Sequence, residues 1–496
     1  MIRGDRPTPT GFIAYDARYR SSLAVMPQLH LDRLTAVDAS FLHQERGASH
    51  MHVGAVTVFD GPPPPFAQVQ DSIRERLHLV PRYRQKLEFP RLESGRPLWV
   101  DDPAFTLEYH IRHVALPKPG GPDLLRELTA RIFSQRLDRS KPLWEMWVVE
   151  GLQDDRFALV FKTHHALIDG VSGMDLAAVL LDLTPEGQAV EHPDQPWEPQ
   201  PLPGTAEVLA TGALGGLRAL MTGATRAAAA LTHPSEIARE ARVAAEGVSE
   251  LVWAGMNPAP PTPLNVPIGP HRRYVVVHER LADFKLVKDA FGGTVNDVVL
   301  AVVSGALREW LRSRGVRTEG LELRALVPVS TRGEHERGQL GNRITAMRGP
   351  LPVYIEDPLT RLRTVKAAMD GIKESKQAVG AELIAGVQGF APPTILAQAS
   401  RLNFSTRLFN LIVTNVPGPQ FPLYLLGRRL RELQPVAFLP EEHALAVAIM
   451  SYDGALTFGL LADYDAVPDV DGIADGIAAS LAELVALAKK ARSAGR

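Results

Sequence analysis

Apolar, β-prone residues run without interruption from Phe157 to Phe161 and give way to Lys162-Thr163-His164-His165, a pattern that predicts a buried strand ending at a pair of histidines. A second pattern has helical period. Val295, Val298, Val299, Val302, Val303, Ala306, Leu307, Trp310 and Leu311 repeat every three or four positions and predict a helix from Thr294 with one buried stripe. Thr294, followed three residues later by Asp297, reads as a capping box with Asp in place of Glu. Residues 274–278 read as a strand, and residues 445–450 and 456–461 flank Asp453-Gly454, a strong hairpin signal. An amphipathic helix is expected around 174–181. These elements together predict an α/β (α+β) protein.

Composition shifts divide the chain. Residues 1–28 carry arginines and prolines but no apolar core of signal-peptide length, and are expected to be a disordered extension. Residues 29–195 form a first domain that ends at a proline-rich exit, Pro193 to Pro203. Residues 196–265 form a Pro/Ala-rich helical linker, interrupted near His233-Pro234, and 266–496 a second domain. Apolar faces in the linker would pack between domains or touch lipid; packing is favoured, because scattered arginines are the ordinary solvated side of a helix.

The 496 residues exceed one ordinary core, which agrees with two domains. Hydrophobic residues at 45% and charged residues at 22% describe a globular chain, and a net charge of −2 gives no electrostatic case for nucleic acid. The absence of cysteine excludes structural disulfides, a thiolate nucleophile and an acyl-cysteine intermediate. No stretch supplies the roughly 18 to 20 consecutive apolar residues of a transmembrane helix, so membrane contact is expected to be peripheral and the location cytoplasmic.

The chemistry concentrates at His164, His165, Asp169 and Gly170. An imidazole at a strand end could take a proton from a hydroxyl near neutral pH, with Asp169 holding the turn and Gly170 allowing close approach. Two other readings stand beside it: a buried structural pair, and a zinc site with Asp169 as third ligand. The zinc reading is the weakest, since the chain has no Cys and no His-Glu-x-x-His run. No metal and no cofactor are expected.

These residues also resemble a family. His164 to Gly170 matches the His-His-x-x-x-Asp-Gly signature of the CoA-dependent acyltransferase superfamily, which includes chloramphenicol acetyltransferase and the condensation domains of peptide synthetases. Residues 34–42 (LTAVDASFL), 51–55 (MHVGA) and 138–145 (DRSKPLWE), Asn296-Asp297, residues 328–332 (PVSTR) with Gly341-Asn342, and 415–419 (NVPGP) narrow the resemblance. In that order they resemble the bacterial wax ester synthase/acyl-CoA:diacylglycerol acyltransferase family, from about residue 31 to near the C-terminus. Met26 lies just before that start.

The resemblance implies two chloramphenicol-acetyltransferase-like domains with mixed sheets, joined by a helical linker, with the active-site channel between them. It implies that His165 is the general base that moves a long-chain acyl group from acyl-CoA to diacylglycerol or a fatty alcohol, at a peripheral membrane or lipid-inclusion surface. His164 is then structural or supporting, Asp169 positions through an arginine for which Arg332 is the candidate, and Gly170 leaves space for the pantetheine arm or the carbonyl. Asn296 and Asp297 shape the site or simply start their helix, the latter being favoured. Pro142, Leu143 and Trp144 form an acyl-chain wall or part of the core. Three alternatives remain: a condensation-type enzyme, a smaller-acceptor acyltransferase, and a catalytically silent lipid-inclusion binding protein. The absence of a Gly-x-Ser-x-Gly elbow leaves a serine hydrolase without motif support.

Overall fold

Strands whose two faces are both apolar need cover on both sides, and that requirement organises this chain. The computed structural model describes residues 32–89, 96–168, 179–187, 189–191, 193, 195–202, 204, 257–330, 344–374 and 405–494. In its first part, β1 (Asp32–Arg33) and α1 (Ala36–Gln44) lead into β2 (His52–Phe59), followed by α2 (Phe66–Arg76), β3 (Gln85–Glu88) and β4 (Leu98–Asp101). The short α3 (Leu107–His110) continues into β5 (Ile111–Ala115), and α4 (Pro122–Ser134) precedes the hairpin of β6 (Trp144–Glu150) and β7 (Phe157–His164). The second part begins with β8 (Arg272–Arg280), α5 (Leu281–Phe291), α6 (Val295–Ser313) and β9 (Leu323–Ser330). It continues through β10 (Ile344–Leu351), α7 (Pro358–Glu374), β11 (Leu411–Pro417), β12 (Tyr424–Leu425) and β13 (Arg428–Val436), and ends with the hairpin of β14 (Leu445–Tyr452) and β15 (Ala455–Asp463) and with α8 (Val470–Ala494).

Two six-stranded sheets result, one ordered β12-β13-β2-β7-β6-β5 and the other β10-β9-β11-β14-β15-β8, besides a small sheet β1-β4-β3. Both large sheets are mixed, as expected. β5 runs parallel to β6, and β11 runs parallel to β9 and β14, while the remaining pairs are antiparallel. Side-chain alternation assigns each strand to two cores. On β7, Phe157 and Leu159 join Phe59, Trp144 and Leu433 on one face, whereas Ala158 and Val160 join Val56, Val58 and Val436 on the other. That second cluster also holds Leu128, Ile132 and Phe133 of α4 and Tyr274, Leu326, Ile412, Ala446 and Ala448 of the other sheet, so it is the packing between the two halves. The alternate residues Leu445, Val447 and Ile449 turn the opposite way, onto a core closed by α5, α6, α7 and α8.

The 274–278 strand lies inside β8, and the helix expected from Thr294 is α6, whose capping box is formed in both directions. Asp453 and Gly454, with φ of 43° and 85°, make the tight turn between β14 and β15. One feature differs from a linear division of the chain at residue 265. β12 and β13 leave the second half and complete the first sheet, with β13 antiparallel to β2 from Leu430↔Phe59 to Val436↔Gly54. Residues 1–28, most of the expected helix at 174–181 and most of the linker lie outside the described residues. Among the described residues no single helix is long and apolar enough to cross a membrane; α5 and α6 pass that test only as a pair bent by 102°, and their apolar residues are core.

The crossover brings β15 very close to β13. A Cβ built on Gly459 would stand 1.8 Å from the Pro435 carbonyl oxygen, the same oxygen that accepts a hydrogen bond from the Tyr274 hydroxyl at 3.0 Å. Gly459→Ala is therefore expected to destabilise the protein by about 3 kcal/mol, since backbone must shift in a packed interface. Gly472→Ala, in α8 with nothing within 4 Å of its Cβ position, is expected to be neutral or to stabilise by up to about 1 kcal/mol. Urea unfolding of the two variants beside the parent chain measures both.

Candidate functional site

β7 ends at His164 because the next residues turn into a short 3-10 segment, His165–Ile168. The turn is fastened on both sides. The His164 N–H donates to the Leu143 carbonyl at 3.0 Å, and the His165 N–H donates to the Met51 carbonyl at 3.0 Å. Met51 holds a left-handed backbone, φ 49°, although it is not glycine and is buried; such a conformation costs about 1–2 kcal/mol and is kept by its surroundings. The His165 ring is placed by aromatic contacts. It stacks on Phe41 of α1 with centroids 3.9 Å apart, and meets the edge of Phe438, just beyond β13, at 5.7 Å. The imidazole thus sits between a helix of the first half and a segment reached only through the crossover.

His164 is built in differently. Its side chain is buried, its Nδ1 accepts the Ala166 N–H at 3.1 Å, and its Nε2 lies 3.6 Å from Glu45 Oε2. Glu45 caps α1 and receives the Arg139 Nε–H at 2.7 Å, while a second Arg139 nitrogen contacts the same carboxylate and donates to the Leu42 carbonyl at 2.9 Å. His52, the register partner of His164 across β2 and β7, and His50 complete a row of imidazoles with ring separations of 5.9 and 5.4 Å.

Burial governs how these groups titrate. It drives His165 down to about 4, helped by His164 and opposed only by the ring's own backbone. His50 is pushed to about 4, by burial first and then by Arg272 and Arg136, and His52 lies well below the usual histidine range for the same first reason with Lys162 next. In His164 burial outweighs the attraction of Glu45, and the pKa is lowered. Burial alone would raise Glu45, but the nearby His164 ring and the charge and hydrogen bond of Arg139 hold it below the ordinary value, as a carboxylate. At neutral pH the histidines are uncharged bases beside one ion pair.

The other residues singled out in the sequence fall into three groups. Asp169, Gly170 and Arg332 lie outside the described residues. Asp297 is fully buried, and its Oδ2 accepts hydrogen bonds from the Thr294 N–H at 2.7 Å and hydroxyl at 2.9 Å, the helix-start geometry. The Asn296 Oδ1 accepts from the Asn415 Nδ2 at 3.3 Å, joining two of the motifs. The third group is Pro142, Leu143 and Trp144. Their side chains are buried, Leu143 and Trp144 belong to the core, and the Trp144 indole donates to the Tyr83 carbonyl at 2.8 Å. This is the core placement, and the segment also supplies backbone: the Leu143 carbonyl accepts from both the His164 N–H and the Thr163 hydroxyl.

Phe41, Glu45, Met51, Arg139 and Phe438 were not legible as site residues. Phe41, Met51 and Arg139 lie within segments that carried the resemblance, whereas Glu45 and Phe438 had no signal of their own. Among the described residues no group of three His, Asp or Glu side chains could hold a metal ion.

Comparison with known proteins follows the same lines. Residues 34–299 match the wax ester synthase/diacylglycerol acyltransferase catalytic domain, and residues 340–485 match the C-terminal domain of that family. The chain is 36% identical over 464 residues to a probable diacylglycerol O-acyltransferase of Mycobacterium tuberculosis, covering 93% of this chain and 97% of the relative. A second such protein of that organism is 34% identical over 460 residues, with 92% and 99% covered. Among solved structures, the wax ester synthase/diacylglycerol acyltransferase from Marinobacter aquaeolei VT8 superposes with a TM-score of 0.64 at 28% identity, covering 92% of this chain and 100% of that one. The first condensation domain of the calcium-dependent antibiotic synthetase gives 0.58 at 19% identity, covering 92% and 96%, a likeness of fold alone.

The row of neutral histidines fixes the sign of a pH effect. Their folded pKa values lie below the unfolded value of 6.5, so the unfolded chain binds more protons as pH falls, and stability is lost from about 6.5 towards 4. Unfolding free energies from urea titrations are expected to drop progressively from pH 7 to pH 5, by about 2 kcal/mol at the lower end for each ring held near 4, as an upper bound. A flat profile over that range would show that the rings keep their ordinary pKa values in the folded protein.

Proposed function

Because the chain belongs to the wax ester synthase/diacylglycerol acyltransferase family, we propose that it moves a long-chain acyl group from acyl-CoA to the free hydroxyl of diacylglycerol, with His165 as general base and long-chain alcohols as companion acceptors. The observation that carries this reading is His165 itself, its backbone N–H fastened to the Met51 carbonyl and its uncharged ring held by Phe41 and Phe438 at the junction of the two halves.

The imidazole takes the proton of the acceptor hydroxyl as that oxygen attacks the thioester carbonyl. The tetrahedral oxyanion collapses with cleavage of the carbon–sulfur bond, and the imidazolium returns its proton to the departing thiolate. An ester and free CoA are formed, the base is regenerated, and the atoms balance without a metal, an organic cofactor or a covalent enzyme intermediate. A rigid ring contributes through orientation as well as proton transfer, because both substrates must converge on one nitrogen. Diacylglycerol resides in lipid, so we place the reaction at a membrane or lipid-inclusion surface in the cytoplasm, with peripheral contact.

Purified protein is expected to release CoA from palmitoyl-CoA with 1,2-diacylglycerol, and with hexadecanol, yielding triacylglycerol and wax ester. His165→Ala is expected to lower the rate by about 10²–10⁴-fold with folding preserved. The acid limb of kcat/KM is expected near 4, where the ring gains its proton, instead of near 6.5. Undiminished ester formation by His165→Ala would remove the histidine from the chemistry.

A further inference from the structure

The Glu45–Arg139 pair lies beside the reacting histidine without belonging to the signature that contains it. We propose that Glu45, held by Arg139, is a positioning residue for the transfer: it fixes the proton of His164 on Nε2, so that the bare Nδ1 accepts the Ala166 N–H and sets the turn that presents His165. The role rests on His165 being the base.

The geometry constrains the tautomer from two directions. A backbone N–H can only donate, so the 3.1 Å contact from Ala166 requires a lone pair on His164 Nδ1 and places the proton of the neutral ring on Nε2. Glu45 Oε2 lies 3.6 Å from that Nε2, which makes no hydrogen bond of its own. At 3.6 Å this contact is long for a hydrogen bond, but in a buried setting a carboxylate at that distance still favours an N–H over a lone pair. The opposite tautomer is penalised twice: two N–H groups would face each other across the turn, and a lone pair would face the carboxylate.

The same pair controls the other wall of the site. The Glu45 N–H donates to the Phe41 carbonyl at 3.2 Å, and Arg139 binds the Leu42 carbonyl, so the last turn of α1 is fastened to the carboxylate's own partner. Phe41 on that turn is the ring stacked on His165. One ion pair, a buried carboxylate with a partly exposed guanidinium, therefore sets the backbone behind the base and the aromatic surface against it.

The test separates positioning from bulk stability through replacements that keep one nitrogen's place. In His164→Asn the side-chain oxygen falls near Nδ1 and can accept the Ala166 N–H; in His164→Gln the polar group falls near Nε2 and cannot. The asparagine variant is expected to lose no more than about 10-fold in kcat and the glutamine variant about 100-fold, with KM for palmitoyl-CoA within about threefold of the parent, as a misplaced base predicts. Glu45→Gln, whose amide oxygen can still face Nε2–H, is expected to retain more kcat than Glu45→Ala. The ¹⁵N spectrum of histidine-labelled protein reads the tautomer directly: His164 protonated on Nε2 in the parent, and a mixture in Glu45→Ala. Equal kcat in the two His164 variants, or a parent spectrum with the proton on Nδ1, would overturn the proposal, and the parent spectrum decides even where a variant does not fold. A parent chain with the expected tautomer but no CoA release would instead defeat the acyl-transfer reading and leave the Glu45–His164 arrangement standing.

Discussion

A carboxylate whose side chain is 3% exposed cannot be left alone, and Glu45 joins two other pieces of chain to its own helix. Arg139 comes from the segment before β6, His164 from the end of β7, and Glu45 caps the helix that carries Phe41. Removing Arg139 would leave the buried Glu45 charge uncompensated, so the ion pair is maintained as a unit. The lowered pKa of Glu45, despite burial, is the electrostatic expression of that unit. Its consequence is geometric: His165, the proposed base, its backbone turn and its stacking ring are referred to one fixed point.

That fixed point has to be held at the edge of two halves, and the packing shows how. The face of the first sheet that carries Ala158 and Val160 shares one cluster with α4 and with Tyr274, Ile412 and Ala448 of the second sheet. β13 goes further and joins the first sheet by hydrogen bonds along β2. Phe438, two residues past the end of β13, is delivered to His165 by this crossover. Lys162 extends the same logic: fully buried on β7, it donates to the Ile132 and Gln135 carbonyls at the end of α4 and pairs with Glu145 at 3.4 Å. A cation at a helix C-terminus is favourably placed, and here it ties the helix between the sheets to the strand that ends in the histidines.

Elements defined by local periodicity were legible in the chain. The stripe from Val295 to Leu311 and the Asp453-Gly454 turn needed no partner to be recognised, because a helical face and a tight turn are properties of consecutive residues. The crossover was not legible, since the alternation in β13 states that one face is buried and says nothing about which sheet buries it. The site divided in the same way. His165 could be found from residue type and spacing, and the resemblance gave it a role. Glu45 could not, because its meaning arises from two residues about a hundred positions away, and Phe438 could not, because an aromatic among apolar neighbours reads as core. Leu143 and Trp144 show another limit: their place in the core was among the readings of the motif, but the main-chain carbonyl that reaches the histidines is encoded by no side-chain pattern.

In the proposed transfer, the depressed pKa of His165 bears on the timing of the chemistry. A ring that binds its proton only below about 4 is always in the form that can accept one, yet it is too weak a base to remove the proton of an alcohol in a separate step. Proton transfer must therefore accompany carbon–oxygen bond formation, when the attacking oxygen becomes acidic as its electrons move to the carbonyl. The weakness helps in the second half. An imidazolium with a low pKa gives its proton readily to a thiolate, whose conjugate acid has a pKa of about 8.5. Burial that makes the histidine a poor base in isolation thus makes it an efficient shuttle within one concerted passage, provided that the ring does not have to move. Rigidity is the requirement that the Met51 carbonyl, the Phe41 stack and the Glu45–Arg139 pair meet together, which is why the polar groups around an uncharged histidine are arranged to hold it and not to ionise it.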